Sequence, residues 1–204
     1  MPAIGITGSI ATGKTTFCEC LREIVPDATI FNADQAARRL VESDPVVQKE
    51  ISAQFGGDIY SSNGSLNRGR LRAIILKSAA QKAALEQILH PRIRREWSAQ
   101  AQTHRDSPDF FFADIPLLYE TGGEALCNGV VVVACSPELQ LARLLERRPV
   151  EGRSPLDQRE AGKLINSQMA LSEKISRAEH VVWNNNGRAA LTEQARKLIQ
   201  LWRH

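Results

Sequence analysis

The strongest constraint on this chain is the stretch Gly8-Ser9-Ile10-Ala11-Thr12-Gly13-Lys14-Thr15, which matches G-x-x-x-x-G-K-[ST] and follows at once on the apolar run Ala3-Ile4-Gly5-Ile6. That order reads as a strand running into a phosphate-binding loop. Such a loop must turn its amides inward, and a side chain on the inner wall would hold phosphate oxygens away, so glycine is required at Gly8 and Gly13. Lys14 brings a cation for the β and γ phosphates and Thr15 a hydroxyl for Mg²⁺, while the helix that begins here aims its positive dipole end at the anion. A glycine-rich turn capping a helix is the plain alternative; the strand before and the helix after favour the phosphate site.

Composition narrows the class. A chain of 204 residues can bury one substantial core with at most a small appended subdomain. With 43% apolar and 24% charged residues it is not disordered throughout. Lys and Arg together exceed Asp and Glu by 26 against 23, and no basic block or aromatic-interleaved stripe accompanies the excess, so small anionic ligands are expected rather than nucleic acid. No run approaches the roughly 20 apolar residues that span a bilayer, and no charged segment followed by a long apolar run opens the chain, so a cytoplasmic protein without a membrane segment is expected. Cys18, Cys20, Cys127 and Cys135 show neither metal spacing nor a disulfide framework and are expected to be reduced.

After the loop, Phe17, Leu21, Ile24 and Val25 form a helical stripe over 16–25 that stops before Pro26, and Ala28-Thr29-Ile30-Phe31 reads as a second strand. Strand, helix and strand within about 30 residues make a βαβ unit with a parallel sheet. Ligands of such sheets gather at the carboxyl ends of the strands. This draws attention to Asn32-Ala33-Asp34, where the second strand ends, expected beside the phosphate loop rather than at the far edge of the sheet. Asp34 is either a group for chemistry or the cap of a helix beginning at Gln35.

From Ser43 to His104 the pattern turns helical. Asp44-Pro45 opens one helix, which Gly56-Gly57 stops; another runs from Leu71 toward Leu89; His90-Pro91 interrupts it and a helix resumes over 93–101. Arg68, Arg70, Arg72, Lys77, Lys82, Arg92, Arg94 and Arg95 make this insertion either a solvated basic face or a cap that holds an anionic substrate over the strand ends. Phe110-Phe111-Phe112-Ala113-Asp114 is a buried strand ending in a carboxylate that could hold Mg²⁺, directly or through water. Ile115 to Glu120 follows as a loop over the site, and 129–134 is another central strand. Ser136-Pro137-Glu138 starts a helix on which Gln140, Arg143 and Arg147 share a face. It leads into a polar hinge over 147–153, read as a lid or as an exposed basic helix end. Two more helical stretches lie within 154–178, then comes the strand Val181-Val182-Trp183, a turn over 184–187 and an amphipathic helix over 191–202.

Taken together these pieces resemble the dephospho-CoA kinase family of P-loop kinases across essentially the whole chain. The resemblance is carried by the loop from Gly8 to Thr16, Ala33-Asp34, Phe55-Gly56, Leu66-Asn67-Arg68 with Leu71, His90-Pro91 with Ile93, Ile115-Pro116-Leu117-Leu118 with Glu120, Gln140 with Arg143 and Arg147, Gln168, and Asn184 before Gly187. The family usually has Asp-Ala-Asp where this chain has Asn32-Ala33-Asp34, and Leu-Asp-Arg where it has Leu66-Asn67-Arg68.

The resemblance implies a three-layer α/β fold like that of the nucleoside-monophosphate kinases, with a five-stranded parallel sheet. It implies a nucleotide-binding core over 1–33 and 106–204 with a lid at about 144–160, and a helical substrate-binding insertion over 34–105. The activity it implies is transfer of a phosphoryl group from ATP to the ribose 3′-hydroxyl of dephospho-CoA, with Mg²⁺. ATP would be held by Gly8, Ala11, Thr12, Gly13, Lys14, Thr15, Thr16 and Asn184. Dephospho-CoA would be held by Asp34, Arg68, Leu71, His90, Pro91, Leu117, Leu118 and Glu120. Asp34, Lys14, Arg143 and Arg147 would do the chemistry, and Thr15 with Asp114 would hold the metal; a monomer is the default. One alternative is a P-loop kinase for another small acceptor, such as a nucleotide or sugar acid. A nucleotide switch acting on a protein partner is less well supported: a GTPase would show Asn-Lys-x-Asp and Asp-x-x-Gly, whereas no Asn-Lys pair occurs and Asp114 is followed by Ile-Pro-Leu.

Overall fold

The structure is a computed structural model in which residues 3–146 and 156–203 are described. The elements are β1 (Ala3–Thr7), α1 (Lys14–Ile24), β2 (Thr29–Asn32), α2 (Ala33–Ser43), α3 (Pro45–Phe55), α4 (Arg68–Lys77), α5 (Ala79–Thr103), β3 (Phe111–Asp114), β4 (Gly129–Ala134), α6 (Pro137–Glu146), α7 (Gln158–Asn166), α8 (Leu171–Arg177), β5 (His180–Trp183) and α9 (Gly187–Trp202). They fall into two compact units, Met1–Phe31 with Ala101–His204, and Asn32–Gln100.

The first unit is built on a five-stranded sheet ordered β2-β3-β1-β4-β5. β1 pairs parallel to β3, with Ile6 opposite Asp114, and parallel to β4, with Thr7 opposite Val132; β4 pairs parallel to β5. Strand side chains alternate between faces, so Ile4, Ile6, Phe112, Val131, Val133 and Val182 point one way into a core completed by Phe17 and Leu21 of α1 and Leu191, Ala195 and Ile199 of α9. On the other face Gly5 leaves room for Leu118 and Cys127, whose side chains would stand 2.7 and 2.9 Å from a Cβ added there. Long apolar runs are needed because a parallel sheet is covered on both sides.

The sheet order corrects one expectation. β3 lies between β1 and β2, so Asn32-Ala33-Asp34 follows an edge strand and not the immediate neighbour of the phosphate loop. The crossover through α1 skips a place, which the all-buried β3 fills, whereas β2 is only half-buried, as an edge strand can be.

The second unit is helical. Asp44 caps α3 by accepting from the amides of Val46 and Val47, Pro45 stands in its first turn, and Gly56 ends it at φ 104°. The helix expected to run from Leu71 toward Leu89 is instead broken at Ser78, between α4 and α5. Conversely, His90-Pro91 does not interrupt: α5 runs through Pro91 to Thr103. Pro91 stands on the exposed face, where water can meet the carbonyl it leaves without a donor, and the guanidinium of Arg92 donates to the Ile88 carbonyl at 2.6 Å. The closing helix, α9, begins at Gly187, a turn before the expected 191.

Asn32, not Asp34, caps α2: its side-chain oxygen accepts from the Gln35 amide at 2.8 Å, and the helix starts at Ala33. Asn67 does the same for α4, accepting from the Arg70 amide at 3.0 Å. Both departures from the family pattern are therefore N-caps, where Asn and Asp are nearly equivalent. Accordingly Asn32→Ala is expected to lower stability by about 1 kcal/mol and Asn32→Asp to change it by only a few tenths, read from urea unfolding midpoints.

Candidate active site

The chain leaves β1 at Thr7 and turns sharply. Gly8 stands at φ 150°, and a Cβ there would lie 2.4 Å from the Val133 carbonyl of the neighbouring strand. Gly13 stands at φ 98°, and its Cβ would lie 2.0 Å from the side-chain nitrogen of Asn184. Both glycines are thus required by close approach as well as by backbone angle. Between them Ala11, at φ 62°, is the one residue other than glycine with positive φ among the described residues. Gly13 is also the N-cap of α1 and offers no side-chain acceptor, so the first-turn amides are left for an anion.

One side chain of the loop itself and several from distant parts of the first unit hold it in place. Thr12 Oγ1 donates to the Ser9 carbonyl at 2.9 Å. Gln140 of α6 donates to the Ile10 carbonyl at 2.8 Å, and Gln168 accepts from the Ile10 amide at 3.0 Å. Asn184 donates to the Thr12 carbonyl at 3.0 Å, while Arg143 reaches the Thr12 and Asn184 carbonyls at 3.5 and 2.9 Å. Gln140 and Arg143 do share one face, turned to the loop. Lys14 folds its ammonium over the loop, 3.2 Å from the Gly8 and Ser9 carbonyls. Arg147 and the hinge after it lie outside the described residues.

Asp114 ends β3 beside β1 and is 5% exposed. Its field reaches α1: burial first, and then the Asp114 charge, push the Cys18 thiol far above its usual range. Thr15 and Asp114 are hard oxygen donors of the kind Mg²⁺ prefers, and among the described residues no group of three His, Cys, Asp or Glu forms a cage. That donor set suits an ion that keeps waters and leans on substrate phosphates.

The loop after β3 is tied to α8 and to the residue two places before it. Leu118 is wholly buried, and the Glu120 carboxylate is taken by Lys174, at 2.9 Å, and by the Met169 amide, at 3.0 Å. Leu117 is half-buried. Sequence reasoning missed Lys174, which is fully buried in α8; nothing in the polar run Leu171-Ser172-Glu173-Lys174-Ile175-Ser176-Arg177 marks it.

The remaining expected residues belong to the second unit. Asp34 is exposed in the first turn of α2, and among the described residues its carboxylate makes no hydrogen bond or ion pair. Arg68 is ion-paired with Glu42, Arg70 with Asp58, and Arg92 with Glu50. Leu71 is buried, His90 half-buried and Pro91 exposed.

A parallel five-stranded sheet with this loop at the end of its central strand defines the protein as a P-loop nucleotide-binding protein. The chain matches the dephospho-CoA kinase family over residues 2–190. It is 37% identical to a dephospho-CoA kinase from Listeria monocytogenes over 97% of this chain and 95% of that protein, and 33% identical to one from Geobacillus kaustophilus over 98% and 96%. A solved dephospho-CoA kinase from Campylobacter jejuni superposes with a TM-score of 0.71 at 27% identity, covering 97% of this chain and 95% of that one. A shikimate kinase from Aquifex aeolicus shares the fold alone, at TM-score 0.54 and 13% identity over 97% and 96%. The chain belongs to the dephospho-CoA kinase family, and it is a kinase that phosphorylates dephospho-CoA at the expense of ATP in coenzyme A biosynthesis.

Because a methyl group at Gly13 meets both a forbidden backbone angle and Asn184, Gly13→Ala should weaken ATP binding at least about tenfold and cost about 1–3 kcal/mol of stability, read by calorimetric titration and by unfolding.

Proposed function

We propose that the acceptor atom is the ribose 3′-hydroxyl of dephospho-CoA and that Asp34 is the base that takes its proton. The observation that carries this is the division of labour between Asn32 and Asp34: Asn32 makes the cap of α2, so Asp34, two residues past the end of β2, is left as an exposed carboxylate with no hydrogen bond or ion pair among the described residues. A ribose hydroxyl is a poor nucleophile at neutral pH. A carboxylate within hydrogen-bond reach removes its proton as the new O–P bond forms, an effect worth about 10²–10⁴ in rate.

Charge on the transferred group is met by preset cations and amides that need no reorganisation. In this reading the amides of the Gly8–Thr16 loop and Lys14 neutralise the triphosphate tail, Asn184 lies near the adenine, and Arg143 with Arg147 answer charge that develops at transfer. The anchoring of Arg143 on the Thr12 and Asn184 carbonyls supports a guanidinium preset at the loop. Thr15 and Asp114 would hold Mg²⁺, which when bound neutralises phosphate oxygens. The second unit, with Arg68, Leu71, His90 and Pro91, and the Leu117–Glu120 loop would hold the acceptor. Arg68, Arg70 and Arg92 already answer carboxylates of their own unit, so they supply hydrogen bonds and shape more than net charge. The protein is proposed to work as a cytoplasmic monomer on small molecules and not on nucleic acid; no described helix is long and apolar enough to cross a membrane.

Incubation with MgATP and dephospho-CoA, followed by mass analysis and mapping of the phosphate position, tests the acceptor atom: coenzyme A is expected, and phosphate on another hydroxyl contradicts the reading. Asp34→Asn should keep ATP binding and lower turnover by about 10²–10⁴; near-normal turnover removes Asp34 from the chemistry. For Arg143→Ala, kcat should fall by more than KM for ATP rises, whereas a change confined to KM would make it a binding group only.

A further inference from the structure

Lysine is almost never fully buried unless it is paired, yet Lys174 is 0% exposed in α8. Its ammonium donates to the Pro116 carbonyl at 2.8 Å and lies 2.9 Å from Glu120. The same Pro116 carbonyl accepts from Thr7 Oγ1 at 3.0 Å, and Thr7 is the residue before Gly8. Just upstream of α8, Gln168 accepts from the Ile10 amide at 3.0 Å and from Ser9 Oγ at 3.4 Å, and the next residue, Met169, donates its amide to Glu120. One short segment therefore bonds to the phosphate loop at one end and to the Pro116–Glu120 loop at the other.

We propose that Gln168 and Lys174 form a positioning strap that holds the Pro116–Glu120 loop in register with the phosphate loop, so that acceptor and donor meet at the distance phosphoryl transfer needs. This rests on the reading that the Pro116–Glu120 loop helps to hold the acceptor. Stability alone does not explain the arrangement, since a well-packed apolar residue commonly serves at least as well as a buried ion pair. Directional bonds to two particular loops do what an apolar contact cannot: they fix where Pro116 and Ile10 stand relative to each other. Neither side chain needs to touch the reacting atoms, and a misplacement of about 1 Å costs roughly 10²-fold in rate.

The test is the single-turnover rate of transfer from ATP to dephospho-CoA in the wild type, Gln168→Met, Lys174→Met and the double variant. Each single variant is expected to slow transfer at saturating ATP by about 10- to 100-fold, and Lys174→Met, whose ammonium bonds to the Pro116–Glu120 loop and not to the phosphate loop, to change KM for ATP less than about twofold. The double variant should be no more than about threefold slower than the slower single one, because a strap cut once is already open. Unchanged rates per folded molecule, a loss confined to KM for ATP, or single effects that multiply in the double variant would overturn the proposal. If Lys174→Met does not fold, Gln168→Met decides alone on the rate of transfer at saturating ATP, and an unchanged rate overturns the proposal. The acceptor role of the loop is checked separately with Leu117→Ala. A raised KM for dephospho-CoA is expected, and an unchanged one removes that role whatever the strap variants do.

Discussion

Everything at this site depends on the main chain between Gly8 and Thr15 being held in a shape it would not keep alone. Three of its residues have positive φ, and one of them, Ala11, carries a side chain. A non-glycine residue in the left-handed region costs on the order of 1–3 kcal/mol and persists only where its surroundings over-determine it. The surroundings here are hydrogen bonds from far along the chain: Gln140 donates to the Ile10 carbonyl and Gln168 accepts from the Ile10 amide, and Asn184 and Arg143 donate to the Thr12 carbonyl. The parallel sheet serves this end, because β4 lies beside β1 and β5 beside β4, and the segments that leave their ends carry Gln140, Arg143 and Asn184 to the loop.

The phosphate loop was legible because it is a local object. Eight consecutive residues carry all its requirements, and the caps at Asp44-Pro45 and Ser136-Pro137 and the stop at Gly56 are legible for the same reason. What did not show were choices made by packing. The pattern of a βαβ unit does not say whether the second strand lies next to the first or one place away; the unbroken burial of Phe111 to Asp114 was the clue that β3 belonged in the middle. Pro91 stays inside α5 because its exposed side tolerates a missing amide, a fact about solvent rather than about proline. Asp34 and Asn32 are both good caps by composition, and only the backbone angle at Asn32 assigns the work. Lys174 gave no signal at all, since a lysine in a short polar helix looks like surface until tertiary structure buries it.

Charge shows the same dependence on partners. The cations of the insertion read either as a solvated face or as a cap for an anionic substrate, and of them Arg68, Arg70 and Arg92 meet Glu42, Asp58 and Glu50 within their own unit. Surface pairs of this kind contribute little to stability, about 0–1 kcal/mol each, yet they decide how much field is left for a ligand. Lys14 and Arg143, by contrast, are held at the phosphate loop itself, on the Gly8 and Ser9 carbonyls and on the Thr12 and Asn184 carbonyls.

Recognition of a triphosphate tail by this loop, through main-chain amides and one ammonium, is what the proposed chemistry depends on. Competition binding tests it most directly: labelled ATP is bound to the protein and challenged with inorganic triphosphate or with adenosine at matched concentrations. Inorganic triphosphate is expected to displace ATP far more effectively than adenosine does. Displacement by adenosine, with inorganic triphosphate without effect, would contradict it.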